Sequence, residues 1–431
     1  MLPSDAPGHL ATTDFLVIGG GIIGLCLALN LKRRYRDCTV TLIEKEKSCG
    51  RHASGRNSGV LHAGFYYGPD SWKARFTLDG NRALKDYCRE RGIPVNLTGK
   101  LVVARDEAEL PSLHNLLKRG QANGVPLDLV TEEEARRIEP RVKTCGQALY
   151  SPETATVDPR RVVAAFAADA EAAGVVLRPS TAYLGRRQGA VLTTGGAIDA
   201  GHVVNAAGLH ADTVARDFGF AQDHAILPFK GLYLRSSEPV GSLKTNIYPV
   251  PDPAYPFLGA HFTLGPEGGV TLGPTAVPAM WREQYRGWGG FERGELRAVL
   301  RLGYRLWRSD PSGYTRLALT ELRCCFRPYL VREAARLGAA RALPDLGRGR
   351  DPRPARRHQD RSTRARLSLR GGRTLIAYPQ RRFARLYLRA AVHCLSGRSD
   401  PGARRVAARS GRLTVHRRAG TFVIFISGRP A

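Results

Sequence analysis

Gly19, Gly21, Gly24 and Glu44 are the first residues whose types and spacing could do chemistry. They lie in and after "DFLVIGGGIIGLCLALNLKRR", Asp14 to Arg34, and Glu44 follows the last glycine by 20 positions. In a G-x-G-x-x-G turn the first glycine permits the tight bend. The second lets backbone approach a pyrophosphate, and the third lets helix pack on strand. The N–H groups of the helix that follows face the phosphates, aided by the positive end of the helix dipole. Glu44 has the placement of an acid that accepts hydrogen bonds from a ribose. The pattern predicts a dinucleotide site and leaves FAD and NAD both open.

This chemistry needs a strand before the glycines and a helix after them. Phe15 to Ile18 is a short apolar run, as expected of a strand buried on both faces. A helix-forming run follows, and Thr39 to Ile43 reads as a second strand that ends at Glu44. The expected fold class is therefore α/β, with a Rossmann-like domain at the N-terminus.

A second segment, "GRHASGRNSGVLHAGFYY" (Gly50 to Tyr67), is rich in Gly, Ser and His and poor in helix formers, so it reads as a loop. Together with the glycine turn it resembles the D-amino-acid-oxidase-like superfamily of FAD enzymes. Its wording is similar to the L-2-hydroxyglutarate dehydrogenase/oxidase branch. Further segments agree in order: "GKLVVA" (Gly99 to Ala104), the run Ala148 to Leu177, "HVVNAAGLHAD" (His202 to Asp212), "LPFKGLYL" (Leu227 to Leu234), Ile247 to Thr263, and "LGPTAV" (Leu272 to Val277). In the run Ala148 to Leu177, Asp158 reads as a helix N-cap with Pro159 in the first turn. The resemblance spans about Asp14 to Leu337.

The resemblance implies an FAD-binding domain at residues 12–90 and 150–222. Interleaved with it is an antiparallel-sheet substrate domain at 91–149 and 223–337. It implies FAD contacts from Gly19, Gly21, Gly24, Glu44, Lys45, Arg51, Ser54, Asn57, Ser58, Gly59, Ala206 and Gly208, with Arg56 and Asn57 near the flavin or the pyrophosphate. The implied reaction is oxidation of a small dicarboxylate 2-hydroxy acid, L-2-hydroxyglutarate, to 2-oxoglutarate, with electrons passing on to oxygen or a membrane quinone. His62 is a candidate base or substrate donor, and His261 is the rival base. Lys230 is a candidate carboxylate anchor, where the family pattern carries arginine; a lysine gives a point charge in place of a bidentate fork. Tyr248 is a candidate substrate donor. No metal is expected. Each of these side chains also has a purely structural reading, so the base assignment stays open. Other superfamily activities, on glycerol 3-phosphate or amino acids, stay open too, because fold alone does not choose a substrate.

The net charge of +28 belongs mostly to the end of the chain. Residues 338–431 contain 23 Arg and four Asp, with no Lys or Glu, and so carry +19 of it. A nucleic-acid arm would mix Lys with Arg and add aromatics for stacking, so nucleic acid is not an expected partner. The family's C-terminal return to the FAD domain should contain a motif like "AGIRAQ" and later one like "HxLNAxSPAxT". Neither stands in the chain. A synonymous back-translation of Gly349 to Arg370, read one base later, gives "AGIRAQLVDIKTGRLVHDFLF". The same skip applied to Ala377 to Arg389 gives "HILNAASPGFTC". Residues 338–431 thus read as an out-of-frame tail that is not natively folded, with a natural disordered basic tail or a nucleic-acid arm as the alternative readings, and Pro352 and Arg353 do not replace the missing arginine. The expected consequence is a chain that binds FAD poorly.

Eight Cys without paired metal spacing predict reduced thiols in a cytoplasmic protein. The N-terminus has no basic segment followed by an apolar run, and no apolar stretch reaches membrane-spanning length. Peripheral contact with the inner face of the membrane is compatible with this reading.

Overall fold

The computed structural model describes residues 11–222, 224–236, 238–251, 259–310 and 314–338, together with strand backbone at 365–370, 374–379, 413–418 and 421–426. Part of the expected substrate sheet (252–258) and most of the tail, including Pro352 and Arg353, lie outside the described residues. The chain divides into two units. The first holds Met1–Gly55, Val163–His224 and Ala390–Ala431; the second holds Arg56–Val162 and Ala225–Arg389.

The first unit is built on a sheet whose described body runs Tyr183–Arg187, Ala190–Thr193, Gly196–Asn205, Ala11–Ile18, Val40–Ile43, Val176–Arg178. The last four are parallel neighbours, with Phe15 opposite Val40 and Ile18 opposite both Ile43 and Asn205. Leu16, Val17, Val40 and Leu42 are fully buried, which is why these strands read as unbroken apolar runs. Backbone strands Leu413–Arg418 and Thr421–Ile426 form a hairpin that joins this sheet beside Gly196–Asn205. The helix Ile22–Arg34 buries Leu25, Cys26, Ala28 and Leu29 and ends in Lys32, Arg33 and Arg34, where cations suit the negative end of its dipole.

The second unit centres on a seven-stranded sheet in the order Leu234–Arg235, Val270–Leu272, Phe262–Leu264, Asn246–Pro249, Lys100–Val103, Gln147–Tyr150, Asp128–Thr131. The sequence reading made this sheet antiparallel. The central pair, Asn246–Pro249 on Lys100–Val103, is parallel, and the other pairs are antiparallel. The two central strands are far apart in the chain, so no hairpin turn dictates their relative direction. Leu101, Val103, Ile247, Phe262, Leu264 and Leu272 fill the core on one side.

The domain boundaries differ from those read in the sequence. Residues 56–90 and 150–162 belong to the second unit. The cause is visible in the helix Trp72–Glu90: Asn81 donates from Nδ2 to the carbonyls of Leu61 and Glu153, both at 3.0 Å. A small antiparallel sheet, Val60–Leu61 with Ala155–Val157 and Val95–Asn96, ties the same segments together. Asp158 caps the helix Pro159–Ala172 through Oδ1, which accepts from the Arg160 N–H at 2.8 Å. Among the described residues no helix is long and apolar enough to cross a membrane, and the seven described cysteines are free thiols.

Candidate functional site

The glycine turn comes first. Gly19 sits at φ +112°, and a Cβ there would lie 2.6 Å from the Ala206 carbonyl oxygen. A Cβ on Gly24 would stand 1.9 Å from the Gly19 carbonyl oxygen. Both positions exclude any side chain, one by conformation and close approach, the other by contact between helix and turn. At Gly21 a Cβ would meet only the Ser54 Oγ, at 3.2 Å, so this glycine keeps space open in front of the turn. Gly21 is the helix N-cap and offers no side-chain cap. The Ile22 N–H instead donates to Ser54 Oγ at 3.0 Å.

Glu44 ends the second strand and is nearly buried, at 7% exposure. Its Oε2 accepts from the Gly20 N–H at 2.8 Å and its Oε1 from the Glu46 N–H at 2.9 Å. Burial pushes its pKa up, while those two N–H groups work in the opposite direction. Lys45 pairs with Glu46 at 3.5 Å, and Arg51 is exposed. Ala206 donates its N–H to the Ile18 carbonyl at 2.9 Å and its own carbonyl stands against Gly19, while Gly208, two residues on, stands at φ +58°. This set fits FAD: two glycines that tolerate no Cβ, a third that keeps space clear, a helix start without a side-chain cap, and a buried carboxylate already oriented by two backbone N–H groups.

Asn57, Ser58 and Gly59 belong to the second unit. Asn57 Oδ1 accepts from the Gly59 N–H at 2.8 Å, and a Cβ on Gly59 would lie 2.0 Å from the Val157 carbonyl oxygen. The Arg56 guanidinium lies 3.9 Å from the centre of the Tyr285 ring.

The second unit also holds a buried polar cluster. Tyr248 pairs with Val102 in the parallel register, and Ile247 with Phe262 in the antiparallel one. Lys100 and Tyr248 therefore project from the same face of two adjacent strands, and His261, the residue just before the strand Phe262–Leu264, packs against Tyr248. Each is fully buried, and His62, just past the strand Val60–Leu61, is 4% exposed. The Tyr248 and His261 rings are 3.9 Å apart, and His62 meets Tyr248 edge-on at 6.2 Å. Lys100 Nζ is 3.5 Å from His62 Nδ1. It also lies 4.6 Å from the Phe65 ring, 4.6 Å from the Tyr66 ring and 5.0 Å from the Tyr248 ring, an aromatic surround that favours a cation. His261 Nδ1 is 2.8 Å from the Gly259 carbonyl oxygen.

Three of the four predicted catalytic and substrate residues, His62, Tyr248 and His261, are thus brought together. Lys230 is not among them. It is half-buried on the strand Phe229–Lys230, and burial lowers its ammonium pKa, opposed by the nearby Cys325. The sequence reading missed Lys100. The signal was present as a lysine heading the apolar run "KLVV", at a position where a strand is buried.

The family profile described as FAD dependent oxidoreductase matches residues 14–354. The chain belongs to that family. Among curated proteins it is 40% identical over 279 residues to the L-2-hydroxyglutarate dehydrogenase of Escherichia coli O17:K52:H18 (strain UMN026 / ExPEC), covering 63% of this chain and 66% of that protein. It is 40% identical over 291 residues to the mitochondrial L-2-hydroxyglutarate dehydrogenase of Homo sapiens, covering 63% of each. The chain therefore spans just under two thirds of the length of these relatives. Among solved structures, the dithionite-reduced L-alpha-glycerophosphate oxidase of Mycoplasma pneumoniae with FAD bound has a TM-score of 0.57. It is 24% identical and covers 68% of this chain and 78% of that one, a likeness of fold. FAD is the cofactor of the family, and the glycine turn with Glu44 is where this chain's residues fit it.

Proposed function

We propose that this chain oxidises L-2-hydroxyglutarate to 2-oxoglutarate. The observation that carries the substrate is the 40% identity to two proteins named for it, from a bacterium and from human mitochondria. The chemistry is supported by the buried cluster in the second unit. Bound FAD supplies a two-electron acceptor for the hydride that leaves the substrate α-carbon. The chain's own residues have three tasks. Gly19, Gly21, Gly24, Glu44, Lys45, Arg51, Ser54, Ala206 and Gly208 hold the dinucleotide. A histidine, His62 or His261, takes the hydroxyl proton as the carbonyl forms. Tyr248 and Lys230 are the donors for the two carboxylates. The first unit serves FAD and the second the substrate. The electrons leave to oxygen or to a membrane quinone.

The test is spectroscopic. The full chain is supplied with FAD and mixed anaerobically with L-2-hydroxyglutarate, then in parallel with glycerol 3-phosphate and amino acids. Bleaching of the flavin band by L-2-hydroxyglutarate alone is the expected result. Bleaching by one of the others reassigns the substrate, and none at all overturns the reaction. A version of the gene with one base removed near codon 338 is assayed beside it. Tighter FAD retention in that version is the outcome expected if the Arg-rich tail is an out-of-frame reading. Reoxidation by dissolved oxygen against a quinone analogue decides the acceptor.

A further inference from the structure

The two histidines of the cluster are held by partners of opposite kind. His261 Nδ1 lies 2.8 Å from the Gly259 carbonyl oxygen. A carbonyl can only accept, so Nδ1 carries the proton and the lone pair of the neutral ring lies on Nε2. His62 Nδ1 lies 3.5 Å from Lys100 Nζ. An ammonium can only donate, so here Nδ1 accepts and Nε2 carries the proton. Lysine ordinarily holds its proton more tightly than histidine, but burial costs either cation, so the surroundings of Lys100 decide where the proton sits. Two cations at this separation would repel in a buried setting, which opposes imidazolium formation at His62. The rings facing the pair, Phe65, Tyr66 and Tyr248, favour the cation on Lys100.

We propose that Lys100 is a positioning residue that locks His62 as a hydrogen-bond donor through Nε2–H and thereby leaves proton abstraction to His261 Nε2. The inference rests on the proposed oxidation of a 2-hydroxy acid. In that reaction the hydroxyl proton would go to His261 Nε2 as the carbonyl forms, and FAD, when bound, would supply the acceptor for the α-hydride. His62 Nε2–H is the donor to a substrate oxygen. Tyr248, packed at a tilt against His261, keeps that ring in line.

The decisive measurement is of tautomers. Full-length protein labelled with 15N-histidine is examined by long-range N–H correlation at neutral pH, with signals assigned by their loss in His62→Gln and His261→Gln. The expected spectrum shows His261 protonated at Nδ1 and His62 protonated at Nε2. A His62 protonated at Nδ1, or at both nitrogens, overturns the proposal. This wild-type spectrum decides the assignment by itself. In Lys100→Met the His62 signal is expected to lose its fixed tautomer, and Lys100→Arg, which still donates, is expected to restore it. Kinetics give a second reading. His261→Gln lowers kcat by about 100- to 10,000-fold, while His62→Gln mainly raises KM and keeps kcat within about tenfold of wild type. The reverse pattern overturns the role split. A wild-type protein with the expected tautomers that leaves its flavin oxidised in L-2-hydroxyglutarate removes the proposed reaction, not the tautomer assignment.

Discussion

The glycine turn at residues 19–24 and the cluster around Lys100 are built from different parts of the chain. The turn works through backbone. Its donors are N–H groups, its shape is set by where Cβ atoms cannot go, and Glu44 is itself oriented by two main-chain N–H groups. The cluster works through side chains that begin on four separate segments, at residues 62, 100, 248 and 261, and meet in a fully buried setting. A backbone site is tolerant of what surrounds it and intolerant of a single added methyl group. A side-chain site tolerates small shape changes nearby and fails when one hydrogen-bonding group changes its proton.

Substitutions probe this contrast from both sides. The largest effect is expected at His261→Gln, where loss of the base slows flavin reduction by about 100- to 10,000-fold, read in anaerobic stopped flow with FAD content unchanged. Asn246→Ala is next and tests whether the cluster depends on its strands. The buried Asn246 donates to Thr98 Oγ1 and to the Gly99 carbonyl, both at 2.6 Å, and accepts from the Leu264 N–H at 2.9 Å. Its loss orphans those groups and costs about 2–4 kcal/mol of stability, seen in denaturant unfolding. Gly24→Ala forces a methyl against the Gly19 carbonyl oxygen. It is expected to strip FAD from the protein and to cost about 1–3 kcal/mol, while the histidine tautomers of the second unit stay as they are. A tautomer change there would break the contrast.

The smallest effect concerns pH. Burial raises the Glu44 pKa, so the folded protein takes up a proton there before an ordinary carboxylate does as pH falls. Its contribution to stability is present below the ordinary carboxylate value and is lost as pH rises through the raised one. FAD affinity runs the other way, because a protonated Glu44 accepts hydrogen bonds less well. Flavin fluorescence during acid titration is expected to report release with a midpoint above about 4.3. Release only below that value counts against the Glu44 role.

Thiols give an independent check on burial. Cys49 and Cys88 are pushed up to about 11 and Cys324 to about 12, each chiefly by burial. They stay protonated at neutral pH and are expected to resist alkylation in native protein and to react on unfolding. Mass spectrometry of labelled peptides reads the difference.

The sequence by itself determined the strand, the glycine turn, the helix and the acid at position 44, because each constraint there acts within some thirty residues and is written in residue type and spacing. It also determined the Asp158–Pro159 helix start and the split in charge at about residue 338. It did not separate the units correctly at Gly55 and Val162, because the ties that draw 56–90 and 150–162 into the second unit are hydrogen bonds from Asn81 and a three-strand pairing with no local mark. Nor did it find Lys100, which meets His62 only through long-range register in the central sheet. Tertiary structure alone decided which ring nitrogen faces an ammonium and which faces a carbonyl. A histidine's proton follows its neighbours in space, and those neighbours, apart from Gly259, are distant in the chain.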